Sequence, residues 1–410
     1  MRMASIVGRG RRFLERGVRR LRGVERRVVS LRPAGEPVGA ALLSYILDPF
    51  LLPPGRPVPR SHTHFWESLT IGRVLEELGF AVDVIHWKNQ TFTPLRDYQL
   101  LVDVRLNLAR LAPLAGPSCL AVLHAETAHP SFNNAAHLRR LEELRARRGV
   151  TLRPRTLIED AGAVEHADCA TVLGNDFTLD TYRFAGKPLY RVPIAQPLLF
   201  PFPGDKDFAA CSKRFVWFGS QGLVHKGLDL VLDSFAARPD LHLTVCGPIE
   251  REQDFVRAFR RELYRTPNIE TVGWVDLASE RFRRLMCSTL AMVYPSCAEG
   301  GGGSVITCMH AGLIPVVSRE ASVDVAPDCG VLLADSSVLE LTAAVVELSR
   351  RPPVELAAMA RAAWRQARAF HTAERFEAGY RQAMLDVLFR FRPELGARVA
   401  ARGAGGATAP

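Results

Sequence analysis

The chain has 410 residues, and at about 150 residues per domain this sets an expectation of two to three domains and excludes a single small module. Hydrophobic residues make up 48% and charged residues 23%, an ordinary globular composition that excludes wholesale disorder. Of the formal net charge of +10, residues 1–33 supply +9 through 11 Arg against 2 Glu; the rest of the chain is close to neutral and lacks the clustered cations of a nucleic-acid-binding surface.

In residues 1–33, Met3, Val7, Gly10, Leu14, Val18, Leu21, Val24, Val28 and Leu31 recur every three to four positions among the arginines, predicting a basic amphipathic helix. Three readings stay open: contact with an anionic membrane surface, at roughly 1 kcal/mol per basic residue, a solvated arm, or an Arg-rich targeting peptide. No run of 18 apolar residues follows, and no apolar stretch follows the basic start, so neither a membrane span nor a secretory signal is expected. The 8 cysteines are scattered with no C-x-x-C pair, which indicates neither a zinc site nor a disulfide framework and fits a reducing compartment. A cytoplasmic protein is expected, with any peripheral contact at the inner membrane face. Asn89-Gln90-Thr91 is then a chance match to a glycosylation acceptor.

From residue 39 short apolar runs alternate with helical patterns. Strands are expected at 41–47, 81–86, 99–104, 119–124, 169–173 and 189–192, with helices at 65–78, 134–148 and 176–184 between them. A Pro- and Gly-containing stretch from Gln196 to Asp207 reads as a linker. The rhythm then restarts, with strands at 214–218, 241–246, 269–272, 290–294 and 314–318 and helices at 227–236, 254–264, 279–287, 304–311 and 339–350. Helices at 354–370 and 373–389 follow. The fold class is α/β, with two Rossmann-like, doubly wound parallel-sheet domains facing a cleft. The divisions are a basic segment 1–33, a first domain 34–200, a second domain 201–372, a helix 373–392 returning toward the first domain, and a flexible Ala/Gly-rich tail 393–410. In such sheets ligands sit at the carboxyl ends of the strands, so chemistry is sought there.

Two segments stand out at those ends. Phe215 to Leu230 reads as strand, loop with Gly219 and Gly222, then His225-Lys226-Gly227 opening a helix. A lysine at a helix amino terminus suits a phosphate group, although a solvated residue before a helix would look the same; the Walker spacing is absent. Tyr294 to Val317 reads as strand, Glu299, the four glycines Gly300, Gly301, Gly302 and Gly303, Ser304 opening an apolar helix, Gly312 and a further strand. Four consecutive glycines lower stability through backbone entropy, and close approach of a diphosphate to the main chain accounts for them; a plain flexible turn is the alternative.

Here the sequence resembles the retaining, GT-B-fold glycosyltransferases, in particular glycosyltransferase family 4. Pro295-Ser296, Glu299-Gly300, Gly312 and Pro315-Val316-Val317 match the family pattern in order and spacing, and His225-Lys226-Gly227-Leu228-Asp229 is similar to its lysine-glycine loop. The resemblance covers residues 212–390 well and the amino-terminal part mainly in architecture. It implies retaining transfer of a sugar from a nucleotide diphosphate sugar to an acceptor hydroxyl; the basic residues 1–33 in turn suggest a lipid-linked or envelope acceptor, in cell-envelope polysaccharide or glycolipid synthesis. Lys226 would neutralise the diphosphate, assisted by Gly219, Gly222 and the amides of Gly300 to Ser304. Glu299 would contact the sugar, and His124, ending a strand of the first domain, would approach the reacting sugar or be an ordinary strand-end residue. No dedicated metal or cofactor is implied, and the expected partners are the nucleotide sugar and a glycan or lipid-linked acceptor.

Two departures matter. The family's second glutamate, which holds the donor ribose, is Thr307 here, so that donor contact is weaker or made otherwise, and its arginine beside the lysine loop is missing, the neighbourhood being Ser220-Gln221-Gly222. A cation 4 Å from a phosphate contributes about 4 kcal/mol at an effective dielectric of 20, before desolvation. These losses keep a catalytically weakened sugar-nucleotide-binding scaffold in view, and a nucleotide-sugar epimerase of the same fold is the other alternative. His62, Thr63, His64 and Trp66 would line the acceptor side or cap a helix. Glu320 to Asp324 is a loose counterpart of the family's Gly-x-x-Glu region, and Asp205-Lys206-Asp207, in the linker, is not a metal motif.

Overall fold

The structure, a computed structural model, describes residues 23–59 and 63–405. Residues 1–22, which carry most of the expected amphipathic segment, lie outside the described residues, as do His62 and residues 406–410. The described residues divide into two compact units: those within 23–124, 161–171 and 380–405, and residues 125–160 and 172–379.

The first sheet has seven strands, β1 Val28–Leu31, β2 Gly39–Tyr45, β3 Phe80–His86, β4 Leu100–Asp103, β5 Leu120–Ala125, β6 Cys169–Leu173 and β7 Leu189–Val192, in the order β1-β3-β2-β4-β5-β6-β7. The second has six, β8 Arg214–Phe218, β9 His242–Cys246, β10 Ile269–Gly273, β11 Ala291–Tyr294, β12 Ile314–Ser318 and β13 Val331–Leu333, in the order β10-β9-β8-β11-β12-β13. Its pairings are all parallel. Strands covered on both faces read as continuous apolar runs, and β2, β4, β11 and β12 are buried almost throughout. That property made them visible in the sequence. The order of the second sheet reverses between β8 and β11: the chain moves outward from β8 to β9 and β10, then returns to the other side of β8. At such a point the loops leaving two neighbouring strands diverge and open a crevice.

Four expectations differ from the structure. Val28 and Leu31 were assigned to an amphipathic helix, but residues 24–26 form a single 3-10 turn and β1 pairs antiparallel with β3, Val28 opposite Ile85 and Leu31 opposite Val82. Cross-strand pairing of branched side chains prevails over the helical spacing. The helix expected at 254–264 is two, Gln253–Ala258 and Arg260–Arg265, parted at fully buried Phe259, whose ring stacks on Phe255 at 4.5 Å and takes the Arg148 guanidinium at 4.3 Å. The flexible tail expected from residue 393 instead begins with the helix Pro393–Gly405, anchored by buried Leu395 and Val399 one turn apart. Strand β13, three residues long, was not anticipated.

In the first unit Asp83 on β3 is buried, accepts hydrogen bonds from Ser30 of β1 at 2.5 Å, Tyr98 at 2.8 Å and Arg96 at 3.2 Å, and forms an ion pair with Arg96 at 2.9 Å. Removing one partner of a buried ion pair leaves the other uncompensated. Asp83→Ala is expected to destabilise the protein by about 3 kcal/mol in urea unfolding; an unchanged midpoint would show that β1 and the Tyr98 loop are held without it.

Candidate functional site

The loops that leave β8 and β11 both start at the reversal point of the second sheet, since β8 and β11 are parallel neighbours with Phe215 opposite Ala291 and Val216 opposite Met292. One loop runs through Gly219 to Gly227 into the helix Leu228–Ala236. The other runs through Pro295 to Gly302 into the helix Gly303–His310. Their juxtaposition brings Lys226 and Glu299, 73 residues apart, to an Nζ–Oε1 distance of 2.7 Å.

Glu299 Oε1 accepts two more hydrogen bonds, from the Tyr294 hydroxyl at 2.9 Å and from Ser296 Oγ at 3.0 Å; none of the three reaches Oε2. Burial by itself pushes the Glu299 carboxyl up, but the Lys226 charge and the hydrogen bonds outweigh it and hold the group below its ordinary range. For Lys226 burial pushes down and Glu299 pushes up, with a net rise. Both groups are therefore charged at neutral pH. His225, beside Lys226, is driven down to about 3, chiefly by burial, and stays neutral. Its Nε2 bonds Asn133 Oδ1 at 3.0 Å, and its carbonyl accepts from Cys297 N at 2.9 Å and Ser296 Oγ at 3.2 Å, so the two loops are stitched together below the ion pair.

The glycines have internal causes as well as any external one. A Cβ on Gly300 would lie 2.3 Å from the Glu126 carbonyl oxygen. Gly301 has φ +100° and faces Ile194, and a Cβ on Gly302 would press on Val305 and the Ala321 carbonyl. Gly303 alone of the four is open, with nothing nearer than 3.9 Å. Its amide and those of Ser304 and Val305 form the first turn of the helix, where no intrahelical acceptor exists. In the other loop Gly219 lies against the Trp217 ring, whose Nε1 donates to the Lys226 carbonyl at 3.1 Å. Gly222, with φ +86°, packs on Thr156, and its amide is donated to the buried Glu252 carboxylate at 2.6 Å. The Gly222 amide is thus already engaged.

Thr307 is buried; its hydroxyl donates to the Gly303 carbonyl at 2.7 Å and accepts from Gln196 Nε2 at 2.5 Å. It braces the helix. His124 belongs to the first unit, fully buried on β5, with Nδ1 bonded to Thr171 Oγ1 at 2.8 Å and its ring edge-on to Tyr45 and Tyr380. Asp207 caps the short helix Phe208–Cys211, and Lys206 Nζ donates to the Met286 and Gly312 carbonyls, so Asp207 and Lys206 both serve the backbone. Among the described residues no cluster of three metal-ligating side chains occurs, and no helix is long and apolar enough to cross a membrane.

Several supporting residues escaped the sequence reading. Buried Arg140 donates to the Pro295 carbonyl at 3.1 Å and adds a cation beneath the loop. Thr178 donates to the Glu299 carbonyl at 3.1 Å and pairs with Ser322 at 2.6 Å; Ser322 is held at φ +55° and also bonds Asn175. Only the Ser322 neighbourhood carried a sequence signal, as the loose motif around Glu320 to Asp324.

Residues 212–351 match the family model described as Glycosyl transferases group 1. The matched segment contains both loops and the whole ion pair. Among solved structures, the chain is similar to sucrose-phosphate synthase from Thermosynechococcus elongatus, with a TM-score of 0.60 at 13% identity over 86% of this chain and 99% of that one. It is similar to HepE of Anabaena in complex with UDP and glucose, with a TM-score of 0.51 at 16% identity over 71% and 78%. It is also similar to TarM of S. aureus in complex with fondaparinux, alpha-GlcNAc-glycerol and UDP, with a TM-score of 0.50 at 10% identity over 75% of this chain. The chain spans only 58% of TarM. No curated protein sequence matches. The likeness shows the expected fold, two parallel-sheet α/β domains of the GT-B kind.

Because Lys226 is raised and Glu299 lowered, the pair's contribution to stability is complete above the unfolded carboxyl pKa of about 4.3 and below the unfolded lysine pKa of about 10.4. In Glu299→Gln the ammonium keeps its burial and loses its counter-charge, so its pKa falls below the unfolded value and stability then rises with pH. The variant is expected to be about 3 kcal/mol less stable than the parent at pH 7, the gap narrowing toward pH 10. Urea unfolding at both pH values measures this; a gap that is constant or widens contradicts the pairing.

Proposed function

We propose that the protein is a glycosyltransferase that moves a sugar from a nucleotide diphosphate sugar to an acceptor hydroxyl with retention of anomeric configuration. The observation that carries this reading is the Lys226–Glu299 pair at the reversal point of the second sheet, next to the open first turn at Gly303. The match of residues 212–351 to the Glycosyl transferases group 1 model supports it. The solved complexes of HepE and TarM contain UDP, which makes a uridine nucleotide the first donor to test.

In this reading the donor diphosphate enters beside Lys226 and the first-turn amides of Gly303 and Ser304, and the sugar hydroxyls reach Glu299 through Oε2. As the bond between the anomeric carbon and the phosphate oxygen breaks, negative charge grows on the diphosphate. A fixed ammonium and fixed amides then bind the transition state more strongly than the ground state. The acceptor oxygen forms the new bond on the same face, and its proton leaves with the diphosphate. Tyr294 and Ser296 keep Glu299 in place, so little reorganisation is needed when the donor arrives. His124 enters the reading only through the family resemblance. A role in envelope polysaccharide or glycolipid synthesis at the inner membrane face rests on residues 1–33, of which 1–22 lie outside the described residues.

The test incubates the purified protein with uridine, guanosine and adenosine diphosphate sugars, with and without acceptor, and follows nucleotide release. Acceptor-dependent release is expected, whereas interconversion of the donor alone would favour the epimerase and tight binding without turnover the scaffold. Glu299→Ala is expected to lower kcat by about 100-fold or more, and Lys226→Ala to weaken nucleotide binding as well as turnover. Unchanged kinetics in Glu299→Ala would refute the assignment. Since Lys226 and the helix amides meet the diphosphate here, turnover is also expected to persist within twofold in a chelator; complete loss would assign that charge to a metal.

A further inference from the structure

The helix Pro130–Arg148 lies in sequence between β5 and β6, yet residues 125–160 belong to the second unit. The reason is a stripe along one of its faces. Asn133, His137, Arg140, Leu144 and Arg147 follow one another at spacings of four, three, four and three, which lines them up on a helix. Leu144 is fully buried in the core of the second unit, and Arg147 donates to buried Asp229 at 2.7 Å and to Asp233 at 2.6 Å, both on the helix that follows the Lys226 loop. The rest of the stripe touches the site loops themselves.

Asn133 is 1% exposed and Arg140 8%. Both hydrogens of the Asn133 amide are committed, to the Thr156 carbonyl at 2.9 Å and to Asn134 Oδ1 at 3.2 Å, so its oxygen accepts and His225 Nε2, 3.0 Å away, is the donor. That fixes the imidazole tautomer and the residue next to Lys226. The His137 ring lies 5.4 Å from the His225 ring, and its Nε2 accepts from the Arg155 amide at 3.3 Å. Arg140 donates from Nη1 to the Pro295 carbonyl at 3.1 Å, with Glu143 of its own helix 3.6 Å from Nε. The same Pro295 carbonyl presses on Gly227, where a Cβ would lie 2.4 Å from it, and Ser296, the next residue, donates to Glu299 Oε1 at 3.0 Å. One side chain of the stripe thus acts on each loop of the charge pair. Burying an amide and a guanidinium lowers stability through desolvation, and apolar side chains of the same volume would join helix to core at least as well. What the polar groups add is direction.

We propose that Asn133 and Arg140 are positioning residues that set the Lys226–Glu299 contact for the donor, Asn133 through His225 and Arg140 through Pro295. The helix is then part of the donor site, although it precedes the segment 212–351 that matches the family model. A displaced Lys226 or Glu299 loses interactions with the transition state that depend on fixed geometry. That the pair serves a diphosphate donor rests on the glycosyltransferase reading; that Asn133 and Arg140 set the pair rests on the hydrogen bonds alone.

Carbon NMR of the full chain tests this by titrating the Glu299 carboxyl, its signal assigned by Glu299→Gln, in the parent and in Asn133→Ala, Arg140→Met and Arg140→Lys. The titratable groups facing that carboxyl are Lys226, His225 and Tyr294. With Lys226 no longer held at 2.7 Å, the midpoint is expected to rise by about one pH unit in Asn133→Ala and Arg140→Met. In the same two variants kcat is expected to fall about tenfold or more, with KM for the nucleotide diphosphate sugar changed less than about threefold. Arg140→Lys, which still donates to Pro295, is expected to stay within about threefold of the parent. Arg148→Met loses contacts to Asp233 and Glu262 at the far end of the same helix; it controls for general destabilisation and is expected to leave both readouts as in the parent. A parental Glu299 midpoint in folded Asn133→Ala and Arg140→Met, or an equal change in Arg148→Met, would overturn the proposal; should Arg140→Met not fold, Asn133→Ala decides. The titration needs no substrate. A shifted midpoint in protein that turns over no donor leaves the positioning intact and removes the donor reading, whereas turnover by the parent with an unmoved midpoint removes the positioning alone.

Discussion

The second unit is organised around one half-buried charge pair. An ammonium and a carboxylate taken out of water each lose several kcal/mol of solvation, and their attraction offsets this only where geometry and further hydrogen bonds are good. At Lys226 and Glu299 those conditions are met by Tyr294 and Ser296 on the carboxylate and by Trp217 on the lysine carbonyl. The pair is weak evidence for stability as such. Its use lies in presenting a cation and an oriented carboxylate together where two parallel strands send their loops apart.

The loops around the pair are stiffened by small, specific close approaches. Gly300 lets the Glu126 carbonyl come near, Gly227 lets Pro295 come near, and Glu252 takes up the turn at Gly222 and Leu223. Each of these contacts lies inside the unit, so the loops hold their form without a ligand, as electrostatic preorganisation requires. What is left open is narrow: the first turn at Gly303 and the unoccupied side of the Glu299 carboxylate.

Much of this was legible from residue order, for identifiable reasons. Strands such as Cys169–Leu173, Arg214–Phe218 and Ile314–Ser318 are continuous apolar runs, and the parallel fold follows from their alternation with helices. Lys226 and Glu299 were legible as loop residues at strand ends, though their mutual contact was not, because register between β8 and β11 is a tertiary fact. Strand β1 was hidden by its arginine-rich surroundings, and the break at Phe259 by a helical pattern that side-chain stacking interrupts. Four glycines in a row signal unusual backbone, yet a sequence cannot separate an approaching ligand from the chain itself; here Gly300 to Gly302 answer to the chain and Gly303 does not. Thr307 shows the reverse: read as a weakened ligand contact, it is occupied by Gln196 and its own helix.

The second sheet places Lys226 and Glu299 where the order of its strands reverses. The most direct measurement is a crystal structure of the protein bound to a nucleotide diphosphate sugar that it turns over. The account predicts diphosphate oxygens within hydrogen-bond distance of Lys226 Nζ and the Gly303 and Ser304 amides, with a sugar hydroxyl on Glu299. A diphosphate seated elsewhere, with the Lys226–Glu299 pair unapproached, would contradict it.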